Sequence, residues 1–345
     1  MTRIDDVRAL FEPSGVYLDT ATMGLPPRTA VEALGVDLSA WQHGEIRAKE
    51  YDSVIDAARR SFGALVHVDP SWVAVGSQVS SFVGQVAASV PNGSEIVVYE
   101  RDFTSVLFPF LAQQHRGVTV RAVPLEGLAE SVTDRTEWVA VSSVQSSDGR
   151  VADLDALAEV ATRHGARLLV DITQSCGWLP CDAGRADVTV CSAYKWLLAP
   201  RGTAFMTVRP DLWDRITPVS AGWYAGEDVW DSIYGPPLRL ARDARRFNLS
   251  PAWWNWVGTA ASLELLAEIG PERIGPHNCA LAARAAAALG EPDPGSAILS
   301  LDRHVDPDAL ARHGIRASVR AGSLRLSFHL YNDEDDVDAV VAALS

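Results

Sequence analysis

Short apolar runs alternate along this chain with longer stretches whose apolar residues recur every three to four positions. The runs at 72–75, 167–170, 187–191 and 202–208 are rich in Val, Leu, Thr or Phe and too short for helices. They read as buried strands. SEIVVYERDF (94–103), VTVRAVPL (118–125) and EWVAVSS (137–143) add three more. Between them, residues 28–65 read as mostly helical, a helix follows the Gly76-Ser77 turn, and Asp148-Gly149 marks a turn before a helix capped by Asp153. Strands alternating with helices predict an α/β fold with a mostly parallel sheet. One link breaks the pattern. LLAPRG (197–202) is too short for a parallel crossover, so the strand after it must run antiparallel.

The two ends read differently. Asp5–Phe11 suggests a short amphipathic helix, and GVYLDTATMGLPP (15–27) a strand and a turn. After a helix to about Leu289 and the linker Gly290–Gly295, the runs AILSLD (297–302), ALARHGIRASVR (309–320) and SLRLSFHLYN (323–332) lead into a terminal helix. This predicts a large domain over 15–255 and a smaller α/β domain from 1–14 and 256–345.

Composition narrows the function. The chain has 345 residues, 48% hydrophobic and 21% charged, enough for about two globular domains. A net charge of −14 argues against a nucleic-acid partner, which calls for a basic patch. No apolar run approaches the ~20 residues of a membrane span, and MTRIDDVRALFEP has no signal-peptide core. The expected location is the cytoplasm. Of the four cysteines, Cys176, Cys181 and Cys191 cluster in one stretch and Cys279 stands apart; none has zinc-site spacing, and buried reduced thiols and no metal are expected.

The candidate chemistry centres on residues 166–209. Asp171 ends one strand and Lys195 follows the end of the next. Ligands of open α/β sheets bind beyond the carboxyl ends of the strands, so the pair points into one site. Pyridoxal phosphate takes a lysine as Schiff base and sets a carboxylate against its ring nitrogen. Gln174 can bond the ring's 3′ oxygen, and Ser192 and Tyr194 flank the lysine within reach of the phosphate. Upstream, Gly76, Ser77 and Gln78 open a helix, whose free N–H groups and dipole suit an anion.

VDITQ followed by CSAYKWL resembles the class V aminotransferase family of fold-type-I pyridoxal-phosphate enzymes, which includes cysteine desulfurases, selenocysteine lyases, kynureninases, isopenicillin N epimerase and the ergothioneine C–S lyase. The resemblance runs from Leu18 to the last helix. It implies a mixed, mostly parallel sheet between helices, a small C-terminal α/β domain, and a homodimer with its site at the interface. It places the cofactor phosphate at Gly76–Gln78 and a ring-stacking residue at Phe103, where desulfurases carry histidine. It sets Gln145 or Ser146 against the cofactor or substrate, and Thr22, with Thr20 and Ala21, at the substrate pocket. Trp223 matches a tryptophan beside the cofactor in kynureninases, within a cluster formed by Trp213, Trp223, Trp230, Trp253, Trp254 and Trp256 that reads equally as packing. Ser250 matches a residue that reaches the partner's phosphate. SVRAGSLRLSFHLYN matches the C-terminal signature, with Arg325 on the substrate carboxylate and Arg320 as a second arginine; His329 is structural.

The expected activity is pyridoxal-phosphate chemistry on an amino acid, with Lys195 moving the α-proton and Asp171 stabilising the carbanion. Desulfurases carry a catalytic cysteine just before the C-terminal arginine strand, and none occurs from His304 to Ser345. A lyase cleaving C–S or C–C bonds is therefore expected over a persulfide-forming desulfurase, with an aminotransferase or epimerase as the alternative and a non-catalytic binding protein as the alternative of another class.

Overall fold

The structure is a computed structural model that describes residues 4–303 and 307–345. Among the described residues twelve strands carry it. β1 is Val16–Tyr17, β2 Val73–Gly76, β3 Glu95–Tyr99, β4 Thr119–Val123, β5 Thr136–Ser142 and β6 Arg167–Asp171. β7 is Val188–Ser192, β8 Ala204–Val208, β9 Ile298–Leu301, β10 Ile315–Arg316, β11 Ser318–Arg320 and β12 Ser323–Ser327.

β2 to β8 form one seven-stranded sheet in the order β2-β8-β7-β6-β5-β3-β4. The pairs from β4 across to β7 are parallel. β8 is antiparallel to both β7 and β2, as the short 197–202 link requires. β2, β6, β7 and β8 are almost wholly buried, the mark of a sheet covered on both faces. Alternate residues feed two separate cores: Val139, Val141, Leu168 and Val170 face one, and Trp138, Ala140, Leu169 and Val190 the other.

The C-terminal part has its own core, in which Leu299, Leu324, Leu326 and Phe328 pack against Leu281, Ala285 and Val337. β9, β12 and β11 form its antiparallel sheet. β1 pairs in parallel with β10 of this part, although the expected boundary at residue 15 assigns it to the large domain. The segment after β1 thus leaves the C-terminal part and crosses toward the main sheet.

Residues 28–65 are mostly helical, as two helices, Arg28–Gln42 and Tyr51–Leu65. Gly44, with φ of 72°, takes the left-handed conformation that ends the first. Among the described residues no helix is long and apolar enough to cross a membrane.

Candidate active site

The carboxyl ends of four strands meet at one cavity of about 460 Å³, inside the roughly 300–1,000 Å³ usual for small-molecule sites. β6 delivers Asp171, β7 ends at Ser192 and leads to Tyr194 and Lys195, β5 leads to Ser146, and β2 ends at the turn carrying Ser77 and Gln78. Register explains the gathering: Gly76 and Ser192 both pair with Ala204 of β8, which puts the Ser77 turn and the lysine loop side by side.

Asp171 and Lys195 are both buried. Burial pushes the Asp171 carboxyl up to about 6; nearby Asp102 adds to the rise, while Thr173, whose N–H donates to Oδ1 at 2.9 Å, and Lys195 oppose it. Burial also pushes the Lys195 ammonium down to about 8, against the pull of Asp171 and with help from Arg325 and Arg320. An acid and an amine shifted toward each other suit proton transfer near neutral pH. The Lys195 Nζ lies 5.2 Å from the Phe103 ring centre and 5.8 Å from that of Tyr194.

Gln174 is held at both ends of its amide. Its Oε1 accepts from Trp196 Nε1 at 2.7 Å, and its Nε2 donates to the Ala21 carbonyl and to Ser146 Oγ, each at 3.0 Å. Its amide donors are both engaged, so bonding a ring oxygen means exchanging the Ser146 contact. Arg325 stands one side chain behind the cavity wall, only 1% exposed. It donates to the Ser146 carbonyl, to Thr22 Oγ1 at 2.7 Å and to Ser318 Oγ at 3.1 Å. Arg320 donates to the same Thr22 Oγ1 at 2.9 Å. Burial, with Arg320 beside it, lowers the Arg325 guanidinium to about 10. Its Nε and the Oδ1 of Asp19, 3.6 Å from Nη2, are buried without hydrogen-bond partners. Arg325 and Arg320 thus form a pair of cations, one of them ion-paired with Asp19, closed off by Thr22 and Ser146.

Several expected residues lie elsewhere. Of the pair Gln145 and Ser146, only Ser146 lines the cavity; Gln145 is buried with its amide donating to the Ser142 carbonyl at 3.0 Å, because the loop turns its side chain inward. Trp223 packs on Tyr224 and Trp230, with ring centres 5.2 Å away in each case, and does not line the site of its own chain. The rest of the cluster also packs: Trp253 stacks on Tyr51, Trp254 meets Trp41, and Trp256 is buried against Phe205. Ser250 is exposed and outside this cavity. Gly76 lies just behind the wall, where a Cβ would meet Phe82 at 2.7 Å. Thr20 bonds Tyr331 and the Ser327 carbonyl, and His329 is buried, its Nε2 3.0 Å from the Trp196 carbonyl.

Sequence reading missed Thr104, Ser105, Ser142, Thr173 and Arg201, all on the cavity wall. The signal for Arg201 was its place in the short 197–202 link; it covers the Tyr194 ring at 5.2 Å. The four cysteines are all outside the cavity, and none is in a disulfide. Burial pushes the Cys181 thiol up to about 12, which keeps it protonated and unreactive.

Pyridoxal 5′-phosphate is the cofactor this residue set implies, and the set fits it. Phe103 leaves an aromatic ring 46% exposed beside the lysine, as a stacking partner for a planar ligand needs. Helix Val79–Ser89 begins at the cavity with no side-chain cap and no acid in its first turn, leaving its N–H groups for a phosphate. Asp171 forms no ion pair among the described residues, as a carboxylate reserved for a ring N–H does.

The comparisons agree. The chain is 31% identical over 313 residues to the uncharacterized aminotransferase YcbU of Bacillus subtilis, covering 84% of this chain and 82% of that protein. It is 27% identical over 391 residues to isopenicillin N epimerase of Streptomyces clavuligerus, covering 98% and 96%. The fold matches the crystal structure of the Escherichia coli cysteine desulfurase CsdA with a TM-score of 0.86 at 24% identity, over 100% of this chain and 98% of that one. With residues 16–306 matching the family profile "Aminotransferase class-V", the chain belongs to the class V aminotransferase family of enzymes.

Proposed function

We propose that this enzyme uses pyridoxal phosphate to act on an amino acid as a lyase, by β-elimination or by C–S or C–C cleavage, and does not form a persulfide. The observation that carries the rejection of persulfide formation is the absence of a thiol from the site, and Phe103 in place of a ring-stacking histidine favours a specialised lyase. All four cysteines lie outside the cavity, and the terminal segment that bears Arg325 has none. Relatives named as an aminotransferase and an epimerase favour those reactions as the second reading.

When bound, pyridoxal phosphate supplies an electron sink for the substrate's Cα. The chain's residues supply the rest. Lys195 anchors the cofactor and then takes the Cα proton on Nζ; with its affinity lowered to about 8, part of it is neutral near pH 7. Thr173 occupies Asp171 Oδ1, which leaves Oδ2 to hold the ring nitrogen's proton. Arg325 binds the α-carboxylate with both arms of its fork once Thr22 and Ser146 yield. Arg320 stands beside it as the second cation. Phe103 covers one face of the ring and can only stack, so proton transfer falls to Lys195.

The site lies at the interface of a homodimer, where Ser250 reaches the partner's phosphate. A panel of amino acids and S-substituted cysteines, scored for pyruvate, ammonia, keto acid and racemised substrate, tests the reading. Pyruvate with ammonia from a cysteine conjugate supports the lyase. Keto acid formed only with an amino acceptor, or racemised substrate alone, replaces it.

A further inference from the structure

A second carboxylate is buried two strands along the sheet from Asp171, on the far side of β5. Asp102 sits in the turn after β3, immediately before Phe103, and is 5% exposed. Its Oδ2 accepts the Ser142 N–H at 2.7 Å; its Oδ1 accepts the Phe103 N–H at 2.6 Å and the Ser142 hydroxyl. Ser142 ends β5 in register with Asp171 on β6. Asp102 therefore ties the Phe103 turn to the strand beside the cofactor's acid.

Its surroundings are unusual for a structural carboxylate. Among the described residues it forms no ion pair, although a buried charge without a cation is costly. Burial holds its carboxyl above the usual carboxylate range, only partly opposed by the bonds from Ser142 and Phe103 and by the nearby Gln145 amide. N–H donors on both oxygens favour the ionised form. The charged groups around the site are few. Asp102, Lys195 and the Cys191 thiol face Asp171, and Asp171, Arg325, Arg320 and Cys191 face Lys195. Two buried carboxylates thus stand on strand ends that flank β5, where one would serve to contact a ring nitrogen.

We propose that Asp102 is a positioning residue that acts through Asp171 and the Phe103 turn, its buried negative charge helping to keep both the cofactor's ring nitrogen and its Lys195 linkage protonated. A charge there needs no contact with the cofactor, because its field falls off slowly in a dry interior. It would be offset only when the cationic cofactor is in place. The inference rests on the pyridoxal-phosphate reading.

The test is a pH titration of the visible absorption of the holoenzyme, for the wild type and for Asp102→Asn, Asp102→Ser and Ser142→Ala. Removing the negative charge disfavours the protonated linkage, so Asp102→Asn and Asp102→Ser should each lower the titration midpoint by about half a unit to one unit. Ser142→Ala keeps the charge and loses one hydrogen bond, so its midpoint should stay with the wild type. The two Asp102 variants guard against one of them failing to fold. An unmoved midpoint in both, or an equal shift in Ser142→Ala, overturns the proposal. A wild type that takes up no pyridoxal phosphate overturns the cofactor reading itself, and this is seen before any variant is compared.

Discussion

Gly24 is packed flush against the backbone of Lys195. Its N–H donates to the Tyr194 carbonyl at 2.9 Å, and a Cβ built on it would collide with the Lys195 carbonyl oxygen and lie 2.6 Å from Leu198 Cδ2. The crossing segment that carries Thr22 is therefore seated directly on the lysine loop. Gly24→Ala must push the two apart. It should cost ~1–3 kcal/mol of stability, the scale for overpacking, and raise KM by moving Thr22 away from Arg325. Thermal melts and steady-state kinetics check it; an unchanged melting temperature would show that the loop gives way freely.

Lys195→Ala should abolish the yellow colour that the wild type gains with pyridoxal phosphate, along with the borohydride-reducible bond to the chain. Mass spectrometry after reduction reads this directly. A retained adduct would move the anchoring role to another amine.

Asp171→Asn should stabilise the apoenzyme while abolishing turnover. The folded-state affinity of Asp171 is raised from 3.8 to about 6. In that window the folded state binds more protons than the unfolded chain, so this group's contribution to stability is lost as pH rises from about 4 to 6. Above it the buried charge costs on the order of 3 kcal/mol. The gain from asparagine should be full at pH 7.5 and gone near pH 4, as read by denaturant melts of both apoproteins. A gain independent of pH would mean that the carboxylate is not strained by burial.

Arg325→Lys retains the charge and loses the planar fork. Amino-acid binding should weaken by about tenfold to a hundredfold, ~1.4–2.8 kcal/mol, with Lys195 still linked to the cofactor. KM and the spectral response to added substrate measure it; unchanged values would leave Arg325 a purely structural tie between Ser146, Thr22 and Ser318.

Cys181→Ser, and likewise Cys176→Ser, should leave turnover intact, because neither thiol lines the cavity. Loss of sulfur transfer in either variant would restore the desulfurase reading.

The central pair was legible because strand ends are visible in a sequence. A buried strand is a short apolar run, and the residue after it stands at the ligand-binding edge of the sheet. Asp171, Ser192 and Lys195 needed no more than that. The antiparallel β8 was legible from the length of the 197–202 link alone. Gln145 and Ser146 were not separable, since which of two adjacent loop residues turns inward depends on the neighbour each one finds. Gln145 found the Ser142 carbonyl and Ser146 found Gln174 and Arg325. The tryptophans stayed ambiguous for a related reason: an aromatic cluster has the same composition whether it packs on Tyr51 and Trp41 or lines a pocket.

By itself the sequence determined the order of strands and helices, the sites where acid and lysine emerge, and the family. The elements and the emergence of acid and lysine follow from periodicity and spacing, and the family from the resemblance of VDITQ and CSAYKWL, all of them local along the chain. Only the tertiary structure decided that Asp102 is tied to Ser142 beside Asp171, that Gly24 bears on Lys195, and that Arg325 waits behind Ser146 and Thr22. Each of these joins residues far apart in sequence through close packing, and packing fixes contacts that no single segment encodes.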